Sequence, residues 1–467
     1  MTIFIVSFSA AELALSETVG CESDLDCFNN GDCVSGVCHC DAAWNASEHC
    51  DVLNFDISHT DPRSGYHNAS EASWGGNALF DANTGTYHLF AAQMANGCGL
   101  GHWGTNSQII RAESPNATGP FVFKEVVLQP FAHNPTARLL PDNQGVVIYF
   151  IGSGDESKDA IVNCSNTTTA DFTKKVSKNS IGRLSSSISS SSSSVSIRSH
   201  RSSSSGSSSS SGDISSGSSS TNSSTFVGSI HAIYSAKGLF CPWSDPVAIP
   251  FVEDAAWGQS VTNPSPYIDE DGTVTLALQR GFNDNPGKEL IGVARATSWR
   301  GPFRMLTPHP IEPEHWYCVA GTGEDPFLWK TQRGWHMLYH GMCPSGFLES
   351  HYATAPFNST FSSFQGVADD ASSSRSRSSG SGSDAWEWIV SPRQTYPYEF
   401  KYSDRTSRFF SRVERPQLVF DGTTGEPVTL LNGVCDGSTI GDLDECLFKQ
   451  DGMTWTGSRT LVVSASL

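Results

Sequence analysis

Carboxylates set beside prolines are the first residues in this chain that could do chemistry: Glu324-Asp325-Pro326 and, further on, Glu414-Arg415-Pro416. Carboxyl groups do acid–base work in pairs, one protonating a leaving oxygen while the other activates water or attacks carbon. Successive strand residues face opposite ways, so only one of Glu324 and Asp325 would turn towards a reacting group. Histidine is a further proton donor near neutral pH, and His102, His133, His340 and His351 fall at the ends of apolar runs. His133 stands out because it directly precedes Asn134-Pro135. Trp74, Trp103, Trp257, Trp316 and Tyr317 offer flat faces for a ligand ring, and Arg280 offers a guanidinium to a hydroxyl or a carboxylate. The same residue types also make ion pairs at strand heads, satisfied core histidines and packed aromatics. No metal ligand set is expected. The structured segments contain no G-x-S-x-G elbow, no G-x-x-x-x-G-K and no G-x-G-x-x-G read between a strand and a helix.

These residues sit in a repeat. Asn77-Ala78-Leu79-Phe80, Asn134-Pro135-Thr136-Ala137, Asn263-Pro264-Ser265-Pro266, Asp325-Pro326-Phe327-Leu328 and Arg415-Pro416-Gln417-Leu418 each open a short apolar run. Each run ends at a polar turn closed by Gly85, Gly145, Gly272, Gly334 or Gly425, and a second β-rich run follows. That is five copies of a hairpin, with glycine where the turn calls for positive φ. Proline costs no ladder bond at the head of a strand, which fits its recurrence there. Arg111-Ala112-Glu113-Ser114 leading to Gly119-Pro120-Phe121 is echoed by Arg295-Ala296-Thr297-Ser298 leading to Gly301-Pro302-Phe303. A unit of about four strands follows, the content of a propeller blade. The reading is therefore an all-β chain, a five-bladed β-propeller over about 55–467, with the strands around Thr454-Trp455 and Leu461-Val462-Val463 closing the ring.

Two serine tracts interrupt the repeat: Ser185 to Ser224, within an insertion of about 172–225, and Ser372 to Ser383, within about 366–385. Such composition buries too little apolar surface to offset ordering entropy, so disordered surface loops are expected.

The 467 residues carry a net charge of -19, which disfavours nucleic acid and anionic membrane surfaces as partners. No apolar tract is long enough to span a membrane. Residues 1–20 hold a short apolar stretch followed by small residues, a possible leader. Asn45, Asn68, Asn116, Asn163, Asn166, Asn222 and Asn358 begin Asn-x-Ser/Thr sequons, consistent with secretion. Six of the 13 cysteines crowd together as Cys21, Cys27, Cys33, Cys38, Cys40 and Cys50. That density is a disulfide framework of an oxidising compartment, and the spacings are not those of zinc sites. Of the other seven, Cys435 and Cys446 could close a short loop, and an odd number leaves one over. Asp442-Leu443-Asp444-Glu445-Cys446 reads as a loop.

With Asn30-Gly31 before Cys33, and Cys38-His39-Cys40 running to Trp44 and Cys50, the stretch 21–51 resembles an epidermal-growth-factor-like (EGF-like) module. The resemblance implies pairs Cys21–Cys33, Cys27–Cys38 and Cys40–Cys50, and a module that contacts matrix or cell-surface proteins. No calcium is expected there, because Val19-Gly20 lacks an acidic lead-in.

The five Asn/Asp/Arg-led runs with Gly-Pro-Phe late in the blade resemble the five-bladed glycoside hydrolases, families 43, 32 and 117 among them. That resemblance implies a cofactor-free glycosidase whose carboxylates ring the central cavity, an axial metal ion in some relatives, and poly- or oligosaccharide as partner. The ring would be Asn77, His133-Asn134, Thr262-Asn263, Glu324-Asp325 and Glu414-Arg415. It implies Asp325 as the residue that fixes substrate and stabilises charge, Glu414 as general acid with Glu324 as substitute, and His133 as a further acid. Asn77, Asn134, Asn263, Arg280, Arg415, Trp74, Trp103 and His340 are the expected substrate-binding set. The first-blade aspartate of the family is matched by Asn77, which leaves the base open, with Asp61 or Glu71 nearby. A propeller that holds glycans without cleaving them, and a purely adhesive protein, are the alternatives.

Overall fold

The computed structural model describes residues 20–141, 144–154, 161–164, 229–284, 288–311, 322–342, 349–356, 388–437, 446 and 454–463. Both serine tracts, Trp316, Tyr317 and the side chain of His351 lie outside the described residues. The first tract falls between the second and third strands of blade 2, and the second between the third and outer strands of blade 4.

Five antiparallel sheets form the ring. Blade 1 is Ser73–Asp81, Thr86–Met94, Ser107–Ser114 and Val122–Leu128; blade 2 is His133–Leu139, Val146–Ile151, Ile230–Ser235 and Val247–Ala248. Blade 3 is Trp257–Ile268, Val274–Phe282, Glu289–Ala296 and Arg304–Met305; blade 4 is Thr322–Lys330, Gly334–Met342, Glu349–Pro356 and Ile389–Val390. Blade 5 has Arg412–Phe420, Pro427–Cys435 and Thr454–Thr460. The first strand of each blade is innermost, and these five strands touch in cyclic order. Blade 5 is completed from the other end of the chain: Phe55 bridges Leu461, Tyr66 bridges Thr456, and Asp56 N–H donates to Thr460 C=O at 2.9 Å. The C-terminal strand thus lies third in its sheet, and segment 54–66 covers its edge.

Alternation along each strand buries one side chain set against each neighbouring blade. Trp257, Leu276, Ala294 and Phe303 of blade 3 pack with Tyr149 and Ile230 of blade 2, and Ala78, Leu89 and Ile110 of blade 1 pack with Val419 and Leu431 of blade 5. Phe303 and Phe121, of the two Gly-Pro-Phe motifs, are buried. The hairpin glycines Gly85, Gly145, Gly272 and Gly425 have φ of +66°, +116°, +82° and +72°. Gly334 differs: a Cβ there would lie 2.5 Å from Ala355 O of its own blade and 2.7 Å from Asn29 Nδ2, so close approach of the neighbouring strand and of the N-terminal module together call for this glycine.

That module holds disulfides Cys21–Cys33, Cys27–Cys38 and Cys40–Cys50 around a small hairpin, Gly31–Val34 and Val37–Cys40. This is the pairing the EGF-like resemblance implies. It is docked on the ring. Trp44 stacks on Trp329 at 6.1 Å, Arg333 reaches Asp32 and Asp41, and buried Asp51 accepts from Ser391 Oγ at 2.5 Å and Arg393 Nη1 at 3.0 Å. Among the described residues two further disulfides, Cys98–Cys164 and Cys435–Cys446, tie propeller loops, and Cys241 is unpaired. Among the described residues no helix is long and apolar enough to cross a membrane.

Candidate active site

Every inner strand carries a bulge at the same place, and the bulge sets which side chains reach the axis. Pairing with the second strand skips two residues between Trp74 and Asn77, His133 and Thr136, Thr262 and Ser265, Glu324 and Phe327, and Glu414 and Gln417. The first skipped residue is left-handed each time: Gly75, Asn134, Asn263, Asp325 and Arg415, at φ of 50° to 55°. The second is Gly76 or a proline, which cannot continue the ladder.

This register corrects the expected ring. Gly75, not Asn77, stands level with Asn134, Asn263, Asp325 and Arg415. Asn77 lies two residues deeper, where its Oδ1 accepts from the Ala137 N–H at 2.7 Å and clasps blade 1 to blade 2. Arg415 extends across Gly75, where a Cβ would meet its Cδ at 2.2 Å.

A polar network joins the ring. Asp325 Oδ1 accepts from Arg415 Nη1 and from Asn134 Nδ2, both at 3.1 Å. Asn134 Nδ2 also donates to Asn263 Oδ1 at 2.9 Å, and Asn263 Nδ2 donates to Gln279, whose own amide donates to Gly323 C=O at 3.0 Å. Arg415 Nη2 reaches Pro135 C=O at 3.2 Å. Asn134 Oδ1 has no hydrogen-bond partner among the described residues.

Glu324 and Glu414 flank one imidazole. His340, directly opposite Glu324 across the strand pair, has Nε2 at 3.8 Å from Glu324 and 3.7 Å from Glu414, and Nδ1 at 3.8 Å from Asp325. Burial holds its pKa down to about 4 against the pull of Asp325, so the ring is neutral at pH 7. Glu324, its side chain 34% exposed, is raised to about 8 by desolvation and by the Asp325 and Glu414 charges. Glu414 is buried and accepts from Arg412 Nε at 2.5 Å; burial raises its pKa and Arg412 opposes the rise.

Glu324, Asp325 and His340 bring one ligand atom each within 4.8 Å of one another. Two fixed guanidiniums, Arg412 on Glu414 and Arg415 on Asp325, already stand against this cluster. A dication would sit beside both, so the donor set fits the arginines rather than a metal.

The other expected residues divide. His133 hydrogen-bonds Ser107 Oγ through Nδ1 at 2.8 Å and lies 5.2 Å from the Trp103 ring, while burial and Arg415 keep it neutral. His102 immediately precedes Trp103, and burial lowers its pKa. Trp74 is buried under Arg412 and against Gly433, and Trp257 is core, its Nε1 donating to Thr307 C=O at 2.9 Å. Arg280 is turned away: its Nε donates to Gly258 C=O at 2.6 Å and its guanidinium covers Phe251. Glu71 accepts from Gln93 Nε2, and Asp61 is held by Arg63; neither sits at the bulge position of blade 1, which is Gly75. Sequence reasoning missed Arg412, Gln279 and Glu289, the last accepting from Ser260 and from Thr262 Oγ1. Gln279 had a usable signal, since it faces Thr262 across the hairpin.

No family profile and no curated protein matches the chain. Among solved structures it is similar to a thermostable family-43 glycoside hydrolase (13% identity, 86% of this chain, 94% of that one, TM-score 0.46). It is also similar to an α-L-arabinofuranosidase from Lactobacillus brevis (11%, 84% and 92%, 0.45) and a family 117 glycoside hydrolase of the marine bacterium Zobellia galactanivorans (11%, 89% and 90%, 0.42).

Proposed function

We infer that the chain is a secreted glycosidase-like protein that takes a poly- or oligosaccharide into the axial cavity and cleaves a glycosidic bond there. One observation carries this: three carboxyls, Glu324, Asp325 and Glu414, converge on His340 at 3.7–3.8 Å, with Glu324 the partly exposed one and pushed up to about 8 by desolvation and its two acidic neighbours. A carboxylic acid so held is a general acid for a glycosidic oxygen. Glu324 fits this role better than Glu414, which is buried against Arg412. Asp325 supplies negative charge at the axis for an oxocarbenium-like transition state. Glu414, beside the same His340, is the carboxylate left to activate water. Asn134, with its free amide oxygen, and Trp103 would hold the sugar. Five disulfides among the described residues suit an extracellular setting, and the EGF-like module would serve contacts with matrix or cell-surface proteins.

The second reading, a glycan-binding propeller without turnover, is favoured by Arg415 lying over Gly75, which leaves no carboxylate in blade 1's ring position. Sugar release from arabinans, xylans, fructans, galactans and sulfated algal glycans, run beside Glu324→Gln and Asp325→Asn, separates the two. Release by the parent that collapses in both variants supports the hydrolase. Binding of one glycan with no release supports the second reading, and neither binding nor release removes both.

A further inference from the structure

At the opposite end of the channel from Glu324, the C-terminal halves of all five inner strands enclose a cavity of about 380 Å³. That size lies within the roughly 300–1,000 Å³ of small-ligand sites. Phe80 of blade 1, Tyr267 of blade 3, Phe327 and Trp329 of blade 4 and Phe420 of blade 5 line it; blade 2 contributes Arg138. Phe80, Tyr267 and Phe420 are partly exposed, and Phe327 stacks on both Trp329 (5.5 Å) and Phe420 (6.3 Å). Trp44 of the disulfide module backs Trp329, so the wall is held from outside the ring.

Arg138 is the exceptional residue. Its Nε donates to Pro266 C=O at 2.7 Å and its Nη1 to Ala137 C=O at 2.9 Å, while its guanidinium carbon lies 5.5 Å from the Phe327 ring centroid. Those bonds fix the plane and leave Nη2 free. Among the described residues no carboxylate pairs with it, and burial alone lowers its pKa, to about 10. Lys330, also in the lining, is already paired with Asp269 at 2.8 Å. In a chain of net charge -19, a partly exposed, preset guanidinium facing a concave space without a counter-ion is a ready partner for an anion.

We propose that this basal cavity is a binding site for an acidic carbohydrate, its carboxylate on Arg138 and its ring faces on Tyr267 and Phe420. Guanidinium recognises carboxylate through charge-assisted hydrogen bonds, and the C–H faces of a pyranose pack on aromatic rings. The site is separate from the Glu324 cluster and does not depend on the hydrolase reading.

Calorimetry on the full chain tests it with trigalacturonate, the neutral galactotriose and benzoate. Expected are binding of trigalacturonate, at least roughly tenfold weaker binding of galactotriose, and a similar loss in Arg138→Gln. Leu139→Asp, on the exposed rim of the cavity, puts a repelling carboxylate beside the cation without disturbing the core and should weaken trigalacturonate equally. Glu324→Gln should bind it as the parent does. No binding of trigalacturonate, equal binding of galactotriose, unchanged affinity in both Arg138→Gln and Leu139→Asp, or loss in Glu324→Gln would each overturn the proposal. Benzoate binding as tightly as trigalacturonate would overturn its carbohydrate part.

Discussion

The side chain of Arg415 lies across Gly75, its Cδ 2.2 Å from where a Cβ on Gly75 would stand. The two positions are level in adjacent blades, so the missing side chain of one makes room for the long side chain of the other. Arg415 then reaches Asp325 on the neighbouring blade 4. Gly75→Ala should therefore displace Arg415, and the new Cβ would also sit at φ +55°. A loss of about 2 kcal/mol or more is expected, read as a lower midpoint in urea. A variant as stable as the parent would show that Arg415 has another place to go.

Asn77 is assigned to the clasp between blades 1 and 2 and not to ligand. Asn77→Ala removes the acceptor of the buried Ala137 N–H, which should cost about 1–3 kcal/mol. Glycan affinity at the Glu324 cluster should stay the same. A variant of parental stability that loses sugar binding would return Asn77 to the site.

Glu324 makes the chain sensitive to alkali. Its folded pKa of about 8 lies above the ordinary carboxyl value of 4.5, so the folded state holds more protons than the unfolded one between these pH values. Stability from this group is complete below about 4.5 and falls as pH rises through 8. Sugar release should decline over the same upper limb. Glu324→Gln should flatten the stability slope, which denaturation at pH 5, 7 and 9 measures directly.

His340 acts on the acid side. Its pKa falls from 6.5 unfolded to about 4 folded, so its contribution is present above 6.5 and lost as pH falls through 4. His340→Gln should be less sensitive than the parent between pH 6.5 and 4. An unchanged slope would place the acid sensitivity elsewhere.

Trp44 joins the disulfide module to blade 4. Trp44→Ala should cost about 3–5 kcal/mol of docking energy and make the module's junction sensitive to proteolysis while the ring stays folded. Limited digestion followed by mass analysis reads this out.

The blade count was legible because four of the five repeats announce themselves twice, by Asn/Asp/Arg-Pro at the head of the inner strand and by glycine at the hairpin, and the first by its hairpin glycine. The module's three disulfides were legible through spacing and resemblance. The register was not. Gly75-Gly76 performs in blade 1 the bulge that Asn-Pro, Asp-Pro and Arg-Pro perform elsewhere, and with no proline to mark it the repeat was aligned two residues late, on Asn77. Arg280 misled for a related reason: strand position alone does not say which interblade face a side chain takes, and Phe251, far from any motif, decided it. Arg412 was hidden because its importance comes from pairing with a residue two places along its own strand.

Segment 54–66 lies along the strand Thr454–Thr460, so the first part of the propeller to be synthesised is zipped to the last. During translation four blades can assemble while the fifth still presents open strand edges on both sides of the gap. Such edges invite pairing with other chains, and contacts some 400 residues apart in sequence form slowly. The nascent ring thus passes through a vulnerable, horseshoe-like stage that ends only when its final strand arrives, making quality control of the last few dozen residues decisive for the yield of folded protein.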